Sequence, residues 1–95
     1  MFQFISGEQA RLLVASGAQL VDVRNPHEYA SGAAPGAKNI PLSVVPVRAH
    51  ELDSSKPVVL YCVSGGRSAQ AASVLQSLGF PEVHNVGSMS NFING

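Results

Sequence analysis

Along this chain, short apolar runs take turns with segments in which apolar residues recur every three or four positions. The first pattern belongs to strands and the second to helices. Phe2-Gln3-Phe4-Ile5 is a short apolar start. Ser6-Gly7-Glu8-Gln9 then reads as a capping box, with Ser6 as N-cap and Gln9 reaching back. Ala10, Leu13 and Val14 follow at helical spacing, and Gly17 is a natural stop. Ala18 to Val23 is the next strand. Asn25 to Gly36 holds two prolines and two glycines and is mostly loop, with a short helix over Pro26 to Ala30. Asn39-Ile40-Pro41-Leu42 is a brief strand. Ser43 to Leu52 reads as a helix whose regular part begins near Pro46.

Val58-Val59-Leu60-Tyr61 is continuously apolar, the mark of a strand buried on both faces of a parallel sheet. A glycine-bearing turn, Val63 to Gly66, follows at once. Ala71, Val74, Leu75 and Leu78 then lie on one helical face, and Gly79 and Pro81 stop that helix. Val83 to Val86 is a last strand. The tail from Gly87 is polar, with Met89, Phe92 and Ile93 left to pack. Strand and helix in turn predict an α/β fold: a mainly parallel five-stranded sheet with helices on both faces. Ligands of such folds sit beyond the carboxyl ends of strands.

Composition narrows the picture. A length of 95 residues predicts one domain, 1–95, and 45% hydrophobic residues suffice for a core. Six basic and six acidic residues cancel, which argues against a nucleic-acid partner. The longest apolar run, Val58 to Val63, is far shorter than the about 20 residues of a membrane helix. No basic residue precedes Arg11, so no signal-peptide n-region is expected, and the default location is cytoplasmic. The single cysteine rules out an intrachain disulfide and a cysteine-rich zinc site, and no metal or cofactor is expected.

That cysteine stands in the most informative stretch, Cys62-Val63-Ser64-Gly65-Gly66-Arg67-Ser68. It directly follows the most buried strand. Two glycines let the backbone curl so that several N–H groups, at the positive end of a helix dipole, face one spot. Such a field binds anions and favours thiolate over thiol. Arg67 is the sole charged residue from Val58 to Pro81 and sits in a first helical turn, where the dipole disfavours a cation. An anionic neighbour is therefore expected: the Cys62 thiolate or a bound anionic substrate. A lone cysteine after an apolar strand is often only a small buried hydrophobe. The combination of strand end, cysteine, paired glycines, arginine and helix favours a functional thiol.

This loop resembles the active-site loop of the rhodanese (sulfurtransferase) family. Leu20-Val21-Asp22-Val23-Arg24 with Glu28-Tyr29, Gly32 to Pro41, and Asn85-Val86-Gly87-Ser88-Met89 resemble further family segments, in order, across nearly the whole chain. The chain looks most like the short stand-alone members. Ala33 stands where the family usually has His, Ser88 replaces a glycine, and Phe92 falls where many members have Trp.

The resemblance implies that Cys62 is the nucleophile. It would take sulfane sulfur from thiosulfate or a related anionic donor, carry it as a persulfide, and pass it to cyanide or a thiol. Val63, Ser64, Gly65, Gly66, Arg67 and Ser68 would bind substrate, with Arg67 orienting the anion. Asp22, Arg24 and Glu28 would brace the site, with Arg24 paired to Glu28. A persulfide relay acting with a partner protein is the alternative. Phosphatase or arsenate-reductase chemistry is disfavoured, because only four residues separate Cys62 from Arg67 and related phosphatases carry a longer loop. His27, His50 and His84 are scattered and read as surface or half-buried residues rather than bases, and Tyr61, Phe80 and Phe92 as core.

Overall fold

The computed structural model describes residues 3–95. The first helix, α1 (Gly7–Ala15), begins at the expected capping box: the Gln9 N–H donates to Ser6 Oγ at 3.0 Å, and the Ser6 N–H to Gln9 Oε1 at 3.2 Å. Gly17, at φ 111°, takes the left-handed turn that lets the chain enter β1 (Gln19–Asp22). Helix α2 (Pro26–Ala30) starts on proline, whose missing N–H costs nothing in a first turn. The next strand, β2 (Lys38–Asn39), is only two residues long.

Ser43 to Leu52 is not one helix. It divides into a 3₁₀ turn (Leu42–Val44), α3 (Val45–Arg48) and a second 3₁₀ turn (Ala49–Glu51). Pro46 supplies no donor, and Val44, Val45 and Val47 are β-branched, so the segment has little intrinsic helical preference to hold it regular. Then come β3 (Val58–Cys62), α4 (Gly66–Ser77), β4 (Val83–Ser88) and α5 (Met89–Asn94). The polar tail thus forms a helix, capped by the Ser88 hydroxyl, which accepts from the Asn91 N–H at 2.9 Å.

Among the described residues the sheet has four strands, all parallel, in the order β2-β1-β3-β4, where five were expected. The missing strand is the apolar start. Ile5 does run beside β4, and its N–H reaches the Asn85 carbonyl at 3.0 Å. Ser6 then caps α1, which leaves no length for a ladder. Phe2 lies outside the described residues.

Strand β3 is central and wholly buried, and its side chains alternate between two cores. Val58, Leu60 and Cys62 join Ala71 and Leu75 of α4 and Val45 of α3 on one face. Val59 and Tyr61 join Ala10 of α1 and Phe92 of α5 on the other. Each fully buried aliphatic side chain contributes about 1.5–3 kcal/mol by leaving water. With helices on both faces, the carboxyl ends of the strands are the open rim, and Cys62 stands at the rim's centre.

Candidate active site

Cys62 closes β3 and is 2% exposed. The loop behind it turns back because Gly65 adopts φ 98°, closed to most side chains, and serves as the N-cap of α4. A side chain at Gly65 would also strike the Phe4 ring. This turn brings the Gly65 N–H to 3.0 Å from Cys62 Sγ. Burial pushes the Cys62 thiol up. Hydrogen bonds that a thiolate would accept, from the Ser68 hydroxyl when it turns to sulfur and from the Ser68, Gly65 and Ser64 N–H groups, outweigh that and hold it below its ordinary value. The loop N–H groups thus favour negative charge on the sulfur, in the direction the glycine pattern predicts.

The neighbours of that sulfur form a polar chain. The Ser68 hydroxyl lies 3.4 Å from Sγ and 2.7 Å from Asn85 Oδ1. Asn85 is clamped by the loop it supports: its Nδ2 donates to the Gly65 carbonyl at 3.1 Å, and its Oδ1 accepts the Gly87 N–H at 2.8 Å. A β-bulge makes this possible. Leu60 pairs with Asn85 but Tyr61 with Gly87, so Val86 is an extra residue. Asn85 was read only as part of a family segment. Its signal in the sequence was an Asn two residues before a glycine, on the last predicted strand.

Asp22, Arg24 and Glu28 gather near the site, but not with the expected partners. Arg24 pairs with Asp22: its Nη2 lies 2.6 Å from Oδ2, and its backbone N–H donates to Oδ1 at 2.8 Å. The same Nη2 donates to the Gly32 carbonyl at 2.7 Å. The Tyr61 hydroxyl donates to Asp22 Oδ2 at 2.8 Å and accepts the Ala34 N–H at 3.0 Å. The Arg24 guanidinium also sits 5.6 Å from the Tyr61 ring centre. Burial raises the Tyr61 phenol to about 12. Tyr61 is core, as expected, and it also carries a polar tip. The side chains of Asp22 and Arg24 are 0% and 9% exposed, so they compensate each other within the core.

Glu28 pairs with Arg67, not with Arg24. The Arg67 Nη1 lies 2.8 Å from Glu28 Oε1, and Nη2 lies 3.3 Å from Oε2. The Asn25 N–H also donates to Oε1, at 2.9 Å. The Arg67 guanidinium leads in holding the Glu28 carboxyl down to about 2. The anionic neighbour that Arg67 required is thus a side chain of α2, although the cation also feels Cys62 electrostatically. The reason for the exchange is reach. Asp22 is two residues from Arg24 and already fills its fork, while α2 faces the start of α4.

A cleft of about 190 Å³ opens at the sulfur, lined by Arg24, Cys62, Val63, Ser88, Met89 and Ser90. Val63 is 57% exposed and forms an apolar lip. Ser64 lines a second hollow beside it, with Phe4 and Gly87. Ser88 and Met89 therefore face the site. Ala33 lies in the loop whose next residue donates to Tyr61, and Phe92 packs in the core of the α1 and α5 face. His84 pairs with Glu82 at 2.9 Å, away from the cleft. Among the described residues no group of three His, Cys, Asp or Glu could hold a metal ion, and no helix is long and apolar enough to cross a membrane.

The family model for the rhodanese-like domain matches residues 6–94, and the chain belongs to that family. It is 46% identical over 69 residues to YqhL of Bacillus subtilis, covering 73% of this chain and 55% of YqhL. The chain thus spans just over half of that relative's length. It is 41% identical over 87 residues to the thiosulfate sulfurtransferase GlpE of Pseudomonas paraeruginosa, covering 90% of this chain and 77% of that protein. The human single-domain sulfurtransferase TSTD1 superposes with a TM-score of 0.79 at 32% identity, covering 98% of this chain and 96% of the other.

Proposed function

We propose that the chain transfers sulfane sulfur from thiosulfate, or a related small anionic donor, to cyanide or a thiol through a persulfide on Cys62. The observation that carries this reading is the buried Cys62 sulfur, at the head of an open cleft, with the Gly65 N–H at 3.0 Å. The thiolate attacks the outer sulfur of the donor. A new S–S bond forms, the donor's S–S bond breaks, and its electron pair leaves with sulfite. The outer sulfur of the persulfide carries the negative charge, which backbone N–H groups of the 63–67 loop stabilise as an oxyanion hole stabilises oxygen. The acceptor then attacks that outer sulfur, the cysteine S–S bond breaks, and the thiolate returns. These are two displacements, so ping-pong kinetics are expected.

The pairing of Arg67 with Glu28 refines its part. The donor meets a cation already neutralised in part, so Arg67 binds an anion by sharing its guanidinium with Glu28 or by leaving it. Arg24 is the arginine that lines the cleft at the sulfur, with its charge balanced by Asp22.

Incubation with thiosulfate is expected to add about 32 Da at Cys62. Turnover is expected to vanish in Cys62→Ser, and full turnover in that variant overturns the reading. A second reading is a persulfide relay fed by a partner protein. With one cysteine the persulfide cannot be resolved within the chain, so discharge is intermolecular in both readings and a partner protein is one acceptor that meets this need. An adduct formed from a persulfide-bearing protein but not from thiosulfate selects the relay. Either reading is placed in the cytoplasm, where thiols are kept reduced.

A further inference from the structure

We propose that Asn85 is a positioning residue that competes with the Cys62 sulfur for the single proton of the Ser68 hydroxyl. It thereby favours the states in which Sγ carries no charge. The reasoning follows the donors and acceptors. The Gly87 N–H can only donate and the Gly65 carbonyl can only accept, and together they fix which end of the Asn85 amide is which. Asn85 therefore turns its carbonyl to Ser68. At 2.7 Å the Ser68 hydroxyl must donate to it. A hydroxyl has one proton, so Ser68 offers Sγ, at 3.4 Å, only a lone pair.

A lone pair suits a thiol, whose S–H can donate to it, and it opposes a thiolate. To stabilise the thiolate, the hydroxyl must rotate from Asn85 to sulfur. Asn85 Oδ1 then keeps only the Gly87 N–H. Ser68 is 0% exposed and Asn85 8%, so water does not readily replace the lost bond. The loop N–H groups thus draw Cys62 toward thiolate while Asn85 restrains that shift. The restraint keeps the sulfur basic enough to be a good nucleophile, since nucleophilicity falls with thiol pKa.

The second consequence rests on the persulfide reading above. In a persulfide Sγ is uncharged and the charge lies on the outer sulfur. Ser68 can then return its proton to Asn85, so the same contact favours the loaded protein.

The other charged groups near Sγ are already paired. Arg67 of α4 is held by Glu28 of α2, and Arg24 after β1 is held by Asp22. From the β4–α5 side the cleft is lined by Ser88, Met89 and Ser90, none of which titrates.

The test measures the Cys62 titration midpoint from the pH dependence of alkylation by iodoacetamide. The full chain is used without sulfur donor, so the outcome does not depend on the persulfide reading. Asn85→Ala is expected to lower the midpoint by about one unit, roughly a tenfold gain in thiolate below both midpoints. The same change made in a Ser68→Ala background is expected to give no shift. An unchanged or raised midpoint in Asn85→Ala overturns the proposal, and so does an equal shift without Ser68. If Asn85→Ala fails to fold, the infrared S–H stretch decides. In the unaltered chain it is expected at the lower frequency of a thiol that donates, and to rise in Ser68→Ala. A band unmoved by Ser68→Ala overturns the proposal.

Discussion

Two arginine–carboxylate pairs flank Cys62, made from the same groups in opposite surroundings. Arg24 and Asp22 lie in the interior, bonded bidentately, with Tyr61 and the Gly32 carbonyl completing their partners. Arg67 and Glu28 are about a third exposed and bridge two helices across solvent. A buried charge that loses its partner has no water to turn to, whereas a half-exposed one does. The inner pair is therefore a fixed part of the fold that fronts the cleft. The outer pair, open to water, can part at little cost, as the proposed binding of an anionic donor by Arg67 requires. Position along the chain hides this division, since both arginines sit within a few residues of an active segment.

Removing one partner of the inner pair tests the contrast most severely. Asp22→Ala is expected to destabilise the chain by about 3–5 kcal/mol in urea titrations, because the Arg24 charge is then left uncompensated. A loss no larger than that of a surface substitution would place Arg24 in solvent and dissolve the comparison. Tyr61→Phe removes only the hydroxyl. It leaves the Ala34 N–H without an acceptor, at a cost of about 1–3 kcal/mol by the same measurement.

The outer pair is expected to show in kinetics rather than in folding. Glu28→Gln frees Arg67, and the KM for thiosulfate is expected to fall roughly a few-fold, an advantage that fades as salt rises. An unchanged KM would mean that Arg67 does not meet the donor. Acid gives the smallest signal. The Glu28 carboxyl is held at about 2, against an ordinary 4.5. A depressed carboxyl stabilises fully above the ordinary value, and its contribution fades as pH falls from about 4.5 towards about 2. Glu51, held at about 2 by Arg48 and Lys38, titrates in the same window. The Glu28 share is therefore the difference between the unaltered chain and Glu28→Gln in acid unfolding, and that difference is expected to vanish near pH 2.

Most of the architecture was legible because its signals are local. The Ser6–Gln9 capping box, the left-handed Gly17 and the apolar run of β3 each act within a few residues. The cysteine loop was legible for the same reason, since Gly65 and the helix behind it are continuous with Cys62. The broken helix after Leu42 was a matter of degree, because proline and valine weaken a helical pattern without erasing it. The ion pairs were not legible. Arg67 and Glu28 are 39 residues apart, and which carboxylate an arginine takes depends on reach across packed elements. The role of Asn85 depends on a register shift that no periodicity announces.

That register shift reaches beyond Asn85. In a regular strand, residues three apart point to opposite faces, so Asn85 and Ser88 would lie on opposite sides of the sheet. One additional residue resets the parity. Asn85 pairs with Leu60 and Ser88 with Cys62, and both project to the face that carries the sulfur. The chain thus counts to the site by odd steps on β4 and even steps on β3. A one-residue deletion at Val86 would keep both pairings as a regular ladder, yet would take a fully buried side chain from the opposite core and remove the kink through which the Gly87 N–H reaches Asn85 Oδ1.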